Sequence, residues 1–407
     1  MVKILFVMGT RPEAVKLAPV IRLCLRQRAW DIRTVLTGQH GPVVRETLGF
    51  FGVKPDHELG IVKKGMDLSL LTAACLSGLR VILKSEKPGL VVVQGDTAAT
   101  MAGAMAAFHE GIPVAYVEAG LRSYDKKAPY PEETYRRITT LLAEHFFVPD
   151  RTARDNLLAE KIPAARIHLT GNTVVDSLFF VLSRLERETK FAEAARKELA
   201  VRFDRAGRPV PVISVPAMPV PAMPGPAMPG HRTSGKYVIV TGHGRENIGS
   251  GLRNLAKAVR ILARKYPETM FVWLLHFNPA SRKAVEPVLR GAENIALCEP
   301  LSYPAFCLLL KGCRLVITDS GGLQEEAPCL GKPVLVARDV TERVTALRSG
   351  GVVLCGTGRD RVVNLASRLL NRRSGPRRTF CYGRGHSAER ILGVLKKILR
   401  PAGRGTD

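Results

Sequence analysis

Short apolar runs rich in Val, Ile and Leu recur along the chain, and most end in a glycine-bearing polar motif before a longer stretch with helical spacing. Runs of this length without polar alternation mark strands buried on both faces of a parallel sheet. Residues 1–10 predict such a strand, running into Gly-Thr-Arg-Pro-Glu; Pro12 suits the first turn of a helix that continues over Glu13–Arg28. A strand is predicted at Asp31–Thr37, then helices at Val43–Phe51 and Leu68–Ser85. The runs Leu90–Val93 and Ile112–Val117 flank a small-residue helix, Thr97–His109. After the strand in HFFVPD come a helix at Thr152–Glu160, a strand at Ile167–Thr170 and one long helical segment, Val174–Val201.

A second alternation starts at Lys236. It predicts strands at Tyr237–Thr241, Met270–Leu275, Ile295–Leu297, Leu315–Thr318, Pro333–Ala337 and Gly350–Leu354. Helices are predicted at Gly251–Tyr266, Tyr303–Cys313, Leu323–Cys329, Arg361–Asn371 and Ala388–Leu399. Alternation of this kind means α/β architecture with doubly wound parallel sheets. The expected layout is a first domain over 1–173, completed by the C-terminal helix at 386–400, and a second over 236–385, with a cleft between them. Residues 174–235 join the two. Within them, PVPVISVPAMPVPAMPGPAMPG at 209–230 repeats Pro-Ala-Met-Pro from Pro216, Pro221 and Pro226. Proline at that density continues neither a helix nor a central strand, so this is read as an extended low-complexity linker or insertion.

At 407 residues, 46% hydrophobic and 24% charged, the chain has the size and composition of a two-domain globular protein. It has no uncharged apolar run of about 18 residues, so no membrane span is expected. The apolar N-terminal run is too short for a secretory signal. Eight cysteines show no CxxC spacing and sit among apolar neighbours, as expected of reduced structural thiols in the cytoplasm. The net charge of +25 comes from 61 basic and 36 acidic residues. The excess is spread widely and is not interleaved with aromatics, which argues against nucleic acid as a partner.

The stretch Val91–Arg137 concentrates carboxylates at strand ends: Asp96 after one run, Glu118 after the next, then Glu132 and Glu133 behind Pro-Tyr-Pro. Ligands of a parallel α/β sheet bind at the carboxyl ends of its strands, and carboxylates gathered there suit proton transfer. For Asp96 the bland alternative, an N-cap of the following helix, stays open. Gly9-Thr-Arg-Pro-Glu resembles an anion site at a helix N-terminus, with Arg11 at its mouth and Lys16 nearby. Asp319-Ser-Gly-Gly-Leu-Gln-Glu-Glu fits a pyrophosphate on the glycine-lined helix start and a ribose diol on a carboxylate one turn further in. His243, with Arg245 and Glu246, follows a buried strand and is a candidate phosphate donor or acid.

Gly9-Thr-Arg-Pro-Glu-Ala-Val-Lys16, Gly95-Asp-Thr, Val117-Glu-Ala-Gly-Leu-Arg122, Pro131-Glu-Glu133, Gly171-Asn-Thr, Thr241-Gly-His and Thr318-Asp-Ser-Gly-Gly-x-Gln-Glu-Glu-Ala-Pro328 together resemble the non-hydrolysing UDP-N-acetylglucosamine 2-epimerases, nearly end to end. The resemblance implies a GT-B fold of two Rossmann-like domains and reversible conversion of UDP-N-acetylglucosamine to UDP-N-acetylmannosamine. UDP would be eliminated to give a 2-acetamidoglucal and then added back, with no cofactor, in a cytoplasmic homodimer that supplies polysaccharide synthesis. It implies Asp96, Glu118, Glu132, His243 and Lys16 as catalytic groups. It also implies Arg11, Arg136, His243, Asn278, Ser320, Gly321, Gly322 and Glu326 as binders of the UDP-sugar. A hydrolysing epimerase, a GT-B glycosyltransferase and an inactive sugar-nucleotide-binding homologue stay open as alternatives.

This chain departs from the family pattern in several places. Gly41-Pro42 follows Gln39-His40 where the family has Arg, and Gly244 stands between His243 and Arg245 where the family has another Arg. Tyr135 follows Thr134 where the family has Asn, Val-Thr follows Arg343 in place of Pro-Glu, and Phe380-Cys-Tyr-Gly-Arg-Gly385 replaces Asn-Pro-Tyr-Gly-x-Gly. In bacterial members the segments around Gln39, His40 and Arg245 contribute to activation by UDP-N-acetylglucosamine. The two missing arginines therefore predict weak or absent cooperativity.

Overall fold

The computed structural model describes residues 1–39, 41–61, 66–204, 237–242, 244, 247–372 and 375–399. The proline-rich stretch at 209–230 lies outside them. Contacts divide the chain into two units, Met1–Ser177 with the C-terminal segment from Tyr382, and Leu178–Cys381.

Unit 1 holds seven parallel strands: β1 (Val2–Met8), β2 (Trp30–Leu36), β3 (His57–Glu58), β4 (Leu90–Gln94), β5 (Val114–Val117), β6 (His145–Val148) and β7 (Ile167–Leu169). Their order is β3-β2-β1-β4-β5-β6-β7. The order reverses between β1 and β4, which makes that crevice the switch point where ligands of such sheets bind. The helices are α1 (Arg11–Cys24), α2 (Gly41–Phe50), α3 (Leu68–Glu86), α4 (Ala98–His109), α5 (Glu132–Leu142), α6 (Arg151–Ala159) and α7 (Thr173–Arg187), the last crossing into unit 2. Helix α4 packs tightly because it is built of small residues: a Cβ on Gly103 would come within 3.1 Å of Val93 and 3.2 Å of Val7. Helix α3 is long and apolar enough by composition to cross a membrane, but its Leu71, Cys75, Leu79, Ile82 and Leu83 lie in the core of this unit.

Unit 2 holds α8 (Thr189–Asp204), β8 (Tyr237–Thr241), α9 (Ser250–Lys265), β9 (Met270–Leu274), α10 (Pro279–Leu289), β10 (Ile295–Cys298), α11 (Tyr303–Gly312), β11 (Leu315–Thr318), α12 (Gly321–Cys329), β12 (Val334–Val336), α13 (Val344–Arg348), β13 (Val352–Leu354) and α14 (Arg359–Leu370). The sheet order is β10-β9-β8-β11-β12-β13, all parallel, with its switch point between β8 and β11. The expected single helix over 174–201 is two, α7 and α8, parted at Glu188. A tertiary contact fixes the second: α8 packs on α11, and its Glu198 accepts the Ser302 N–H (2.7 Å) at the start of α11.

The last helix, α15 (Ser387–Ile398), packs on α1 in unit 1. Asp176 of α7 accepts the N–H groups of Ser387 (3.2 Å) and Ala388 (2.9 Å), binding a carboxylate to the first turn of α15. None of the eight cysteines is in a disulfide; burial pushes Cys24 and Cys355 up to about 12, which leaves their thiols protonated and unreactive at neutral pH.

Candidate active site

In unit 1 the ends of β4 and β5 and helix α1 meet at Glu118. This residue follows β5 with φ +64°, a left-handed conformation that costs a non-glycine residue about 1–3 kcal/mol and persists only where its surroundings impose it. The Glu118 carboxylate, 6% exposed, accepts Lys16 Nζ of α1 at 2.5 Å and the side-chain amide of Gln94, the last residue of β4. Lys16 is itself 5% exposed. The result is a buried carboxylate paired with one cation and one amide at the switch point.

Asp96 lies beside it, after β4. Thr97 is the N-cap of α4, accepting the Thr100 N–H at 3.2 Å, so the capping alternative for Asp96 does not hold. Asp96 Oδ2 instead accepts Arg136 Nε (3.0 Å) and Nη2 (2.7 Å). Nη1 of Arg136 turns to Glu133 at 2.9 Å, and Glu133 also accepts the N–H groups of Ser123 (3.0 Å) and Tyr124 (3.2 Å). Arg136 and Glu133 are buried. Burial opposes the Arg136 charge, but Asp96 and then Glu133 outweigh it and hold the guanidinium above its ordinary value. Arg136, expected among the UDP-sugar ligands, bonds Asp96 and Glu133 in the structure. Glu132, at the first position of α5, is half-buried. Helix α5, which carries all three residues, was not predicted, because Tyr-Arg-Arg-Ile-Thr-Thr is rich in β-branched residues and starts right after a proline turn.

In unit 2 the motif after β11 splits into distinct tasks. Asp319, buried, accepts the Gly244 N–H (2.7 Å) and Asn247 Nδ2 (3.2 Å), tying the turn after β8 to the turn after β11. Ser320 is the N-cap position of α12, its own N–H donating to Thr318 Oγ1 (2.9 Å); Ser320, Gly321 and Gly322 are half-exposed at the helix start, and the first N–H groups of a helix, which have no intrahelical acceptor, favour an anion. A Cβ on Gly321 would sit 2.4 Å from Cζ of Arg343, so glycine there lets the guanidinium lie against the helix start. Arg343 also donates to Glu325 (3.1 Å) and pairs with Glu342. Glu326, the expected ribose acceptor, accepts the Tyr303 hydroxyl at 2.7 Å; burial, with Glu326 next to it, pushes that hydroxyl well up. Asn278 caps α10 by accepting the Ala280 N–H at 2.9 Å.

A chain with these motifs and this pair of sheets matches known proteins over nearly its whole length. The family model described as UDP-N-acetylglucosamine 2-epimerase matches residues 23–205 and 225–396. The chain belongs to the UDP-N-acetylglucosamine 2-epimerase family. It is 39% identical to UDP-N-acetylglucosamine 2-epimerase of Yersinia pestis over 97% of this chain and 98% of the relative. Its fold is similar to that of UDP-GlcNAc 2-epimerase from Neisseria meningitidis bound to UDP-GlcNAc, with a TM-score of 0.86, 35% identity and coverage of 97% of this chain and 100% of the other. It is also similar to the Methanocaldococcus jannaschii UDP-GlcNAc 2-epimerase in complex with UDP-GlcNAc and UDP, with a TM-score of 0.79, 30% identity, and 97% and 99% coverage. The two Rossmann-like units are those of a GT-B fold.

For this family member, unit 1 brings together Lys16, Asp96, Glu118 and Arg136, with Arg11 at the first position of α1; unit 2 brings together Ser320, Gly321, Gly322 and Glu326. Gln39 lies past the end of β2, with its buried Oε1 lacking a hydrogen-bond partner among the described residues. His40, His243 and Arg245 lie outside the described residues. The sequence reading did not single out Gln94, Tyr303 or Arg343 as site residues. For Arg343 the Thr-Glu-Arg motif was the available signal; Gln94 and Tyr303 depend on side chains meeting across 24 and 23 positions of chain.

Proposed function

We propose that this chain interconverts UDP-N-acetylglucosamine and UDP-N-acetylmannosamine without hydrolysing either, eliminating UDP to a 2-acetamidoglucal and adding it back. The observation that carries this is the pair of carboxylates, Asp96 and Glu118, at the carboxyl ends of neighbouring strands, each in a different electrostatic setting. Inverting C2 removes a weakly acidic proton from one face and returns one to the other, and two groups with separate partners suit those two tasks. Glu132 is a third candidate. Lys16 and Arg11 supply positive charge in the same unit, and the α12 start with Ser320, Gly321 and Gly322 suits the diphosphate, whose charge grows as UDP leaves. The reading includes His243 at the diphosphate, a homodimer, and action in the cytoplasm for polysaccharide synthesis. It is supported by the relatives' names and by the UDP-GlcNAc and UDP bound in their structures.

Incubation with UDP-N-acetylglucosamine in D2O tests it. Deuterium is expected at C2 of both epimers, with the sugar still on UDP. Free N-acetylmannosamine would show a hydrolysing enzyme, and no incorporation at high enzyme concentration would refute catalysis. A second expectation concerns regulation: with Gly41-Pro42 and Gly244 in place of the family's arginines, rate against UDP-N-acetylmannosamine is hyperbolic. A sigmoidal curve that added UDP-N-acetylglucosamine straightens would contradict it.

A further inference from the structure

The carboxyl group of Glu13 is enclosed by four polar groups drawn from two turns. Glu13 is the third residue of α1 and 2% exposed. Its Oε2 accepts the backbone N–H groups of Gly9 (2.6 Å) and Thr10 (2.7 Å). Its Oε1 meets the hydroxyls of Thr97 and, at 2.8 Å, Thr100. A capping box explains the Thr10 bond alone. The other contacts reach beyond it, and those to Thr97 and Thr100 join the β1–α1 turn, which bears Arg11, to the β4–α4 turn, which bears Asp96. The turns touch closely: a Cβ on Gly9 would lie 2.6 Å from both Ala99 Cβ and Thr37 Oγ1.

The hydroxyl protons are too few for an ionised carboxylate with all these bonds made. Thr100 has one hydroxyl proton and two acceptors in reach, Gln94 O at 2.6 Å and Glu13 Oε1 at 2.8 Å. With the proton on the nearer acceptor, Thr100 Oγ1 bonds Glu13 only by accepting. We propose that Glu13 is a positioning residue held as a neutral carboxylic acid, its own proton donated to Thr100 Oγ1, bolting the Arg11 turn to the Asp96 turn. Desolvation acts in the same direction, raising the Glu13 carboxyl against the lowering by its hydrogen bonds to Thr97, Gly9, Thr10 and Thr100. The nearby cation on α1, Lys16, is engaged by Glu118, and the titratable group facing Glu13 from α3 is the Cys75 thiol, itself pushed up to about 11 chiefly by burial. The catalytic consequence of the brace rests on the proton-transfer reading of Asp96; the protonation state does not.

The test uses the full chain as wild type, Glu13→Gln and Glu13→Ala. The infrared difference between wild type and Glu13→Gln near neutral pH is expected to show the carbonyl stretch of a protonated carboxyl; carboxylate bands in its place overturn the assignment. Glu13→Gln, whose amide N–H reproduces the donated proton, is expected to melt within about 2 °C of wild type, and Glu13→Ala at least about 5 °C lower. A Gln variant that melts as low as the Ala variant also overturns it. In the C2 exchange assay, Glu13→Ala is expected to lose at least about tenfold in kcat with KM within about threefold, and Glu13→Gln to rescue it. An Ala variant with wild-type kcat, or one altered in KM alone, removes the positioning role. If the wild type shows no exchange, the proposed function fails while the infrared and melting results still decide the Glu13 proton.

Discussion

Glu118→Gln lowers C2 deuterium exchange by roughly three orders of magnitude, within the 10²–10⁴ range expected for a lost acid or base. The prediction depends on the substitution leaving the site otherwise intact, and the local geometry supports that. Gln has the same length as Glu. With its carbonyl at the Oε2 position it can keep both bonds, from Lys16 Nζ (2.5 Å) and from Gln94 Nε2, because both reach that one oxygen. The buried donors of Lys16 and Gln94 therefore keep their acceptor, and the left-handed turn at φ +64° is expected to be retained. The candidate UDP-binding groups Ser320, Gly321, Gly322 and Glu326 belong to unit 2, so UDP affinity is expected within about threefold of wild type. Exchange followed by NMR in D2O, with UDP binding by calorimetry, checks both halves. A variant that keeps more than about a tenth of the exchange rate would rule out Glu118 as a proton-transfer group.

Arg136→Met is expected to be the most damaging single change for stability, costing unit 1 about 3–5 kcal/mol, because removing one partner of a buried ion pair leaves the other charge uncompensated. The Arg136 and Glu133 side chains are 2% and 0% exposed, while Asp96 retains 27% and can turn toward water. The cost therefore falls mainly on Glu133, and Glu133→Gln added to Arg136→Met should recover part of it. Urea unfolding followed by fluorescence can isolate unit 1, because the two tryptophans divide between the units: Trp30 starts β2 and Trp273 lies in β9. A Trp273→Phe background leaves Trp30 as the reporter. A loss below about 1 kcal/mol would show that the network relaxes and that Arg136 is not its keystone.

Much of the molecule is legible from the chain. The strands β1, β4, β5, β8 and β11 are apolar runs closed by glycine motifs, and in the structure their side chains are almost wholly buried. Such runs read clearly because both faces of a parallel sheet are covered, so every position is under the same selection for apolar bulk. Asp96, Glu118 and the Ser320–Gly322 turn were legible for a related reason, since loops at the carboxyl ends of parallel strands are where α/β sheets place ligands. Helix α5, the division between α7 and α8, and helix α10 were not. Each is short or β-branched or proline-bearing, and each is held by contacts to distant segments, such as Arg136 with Asp96 and Glu198 with Ser302.

By itself, then, the sequence determined two doubly wound α/β units, the family, and which carboxylates stand at strand ends. Only the tertiary structure decided how those carboxylates are partnered: Glu118 by Lys16 and Gln94, Asp96 by Arg136, Glu133 by two backbone amides and the same arginine, Glu13 by two turns. The reason is physical. Local pattern records which face of an element is buried, whereas a side chain's charge state depends on groups a few ångströms away in space that lie up to 102 positions away in the chain, as Lys16 does from Glu118.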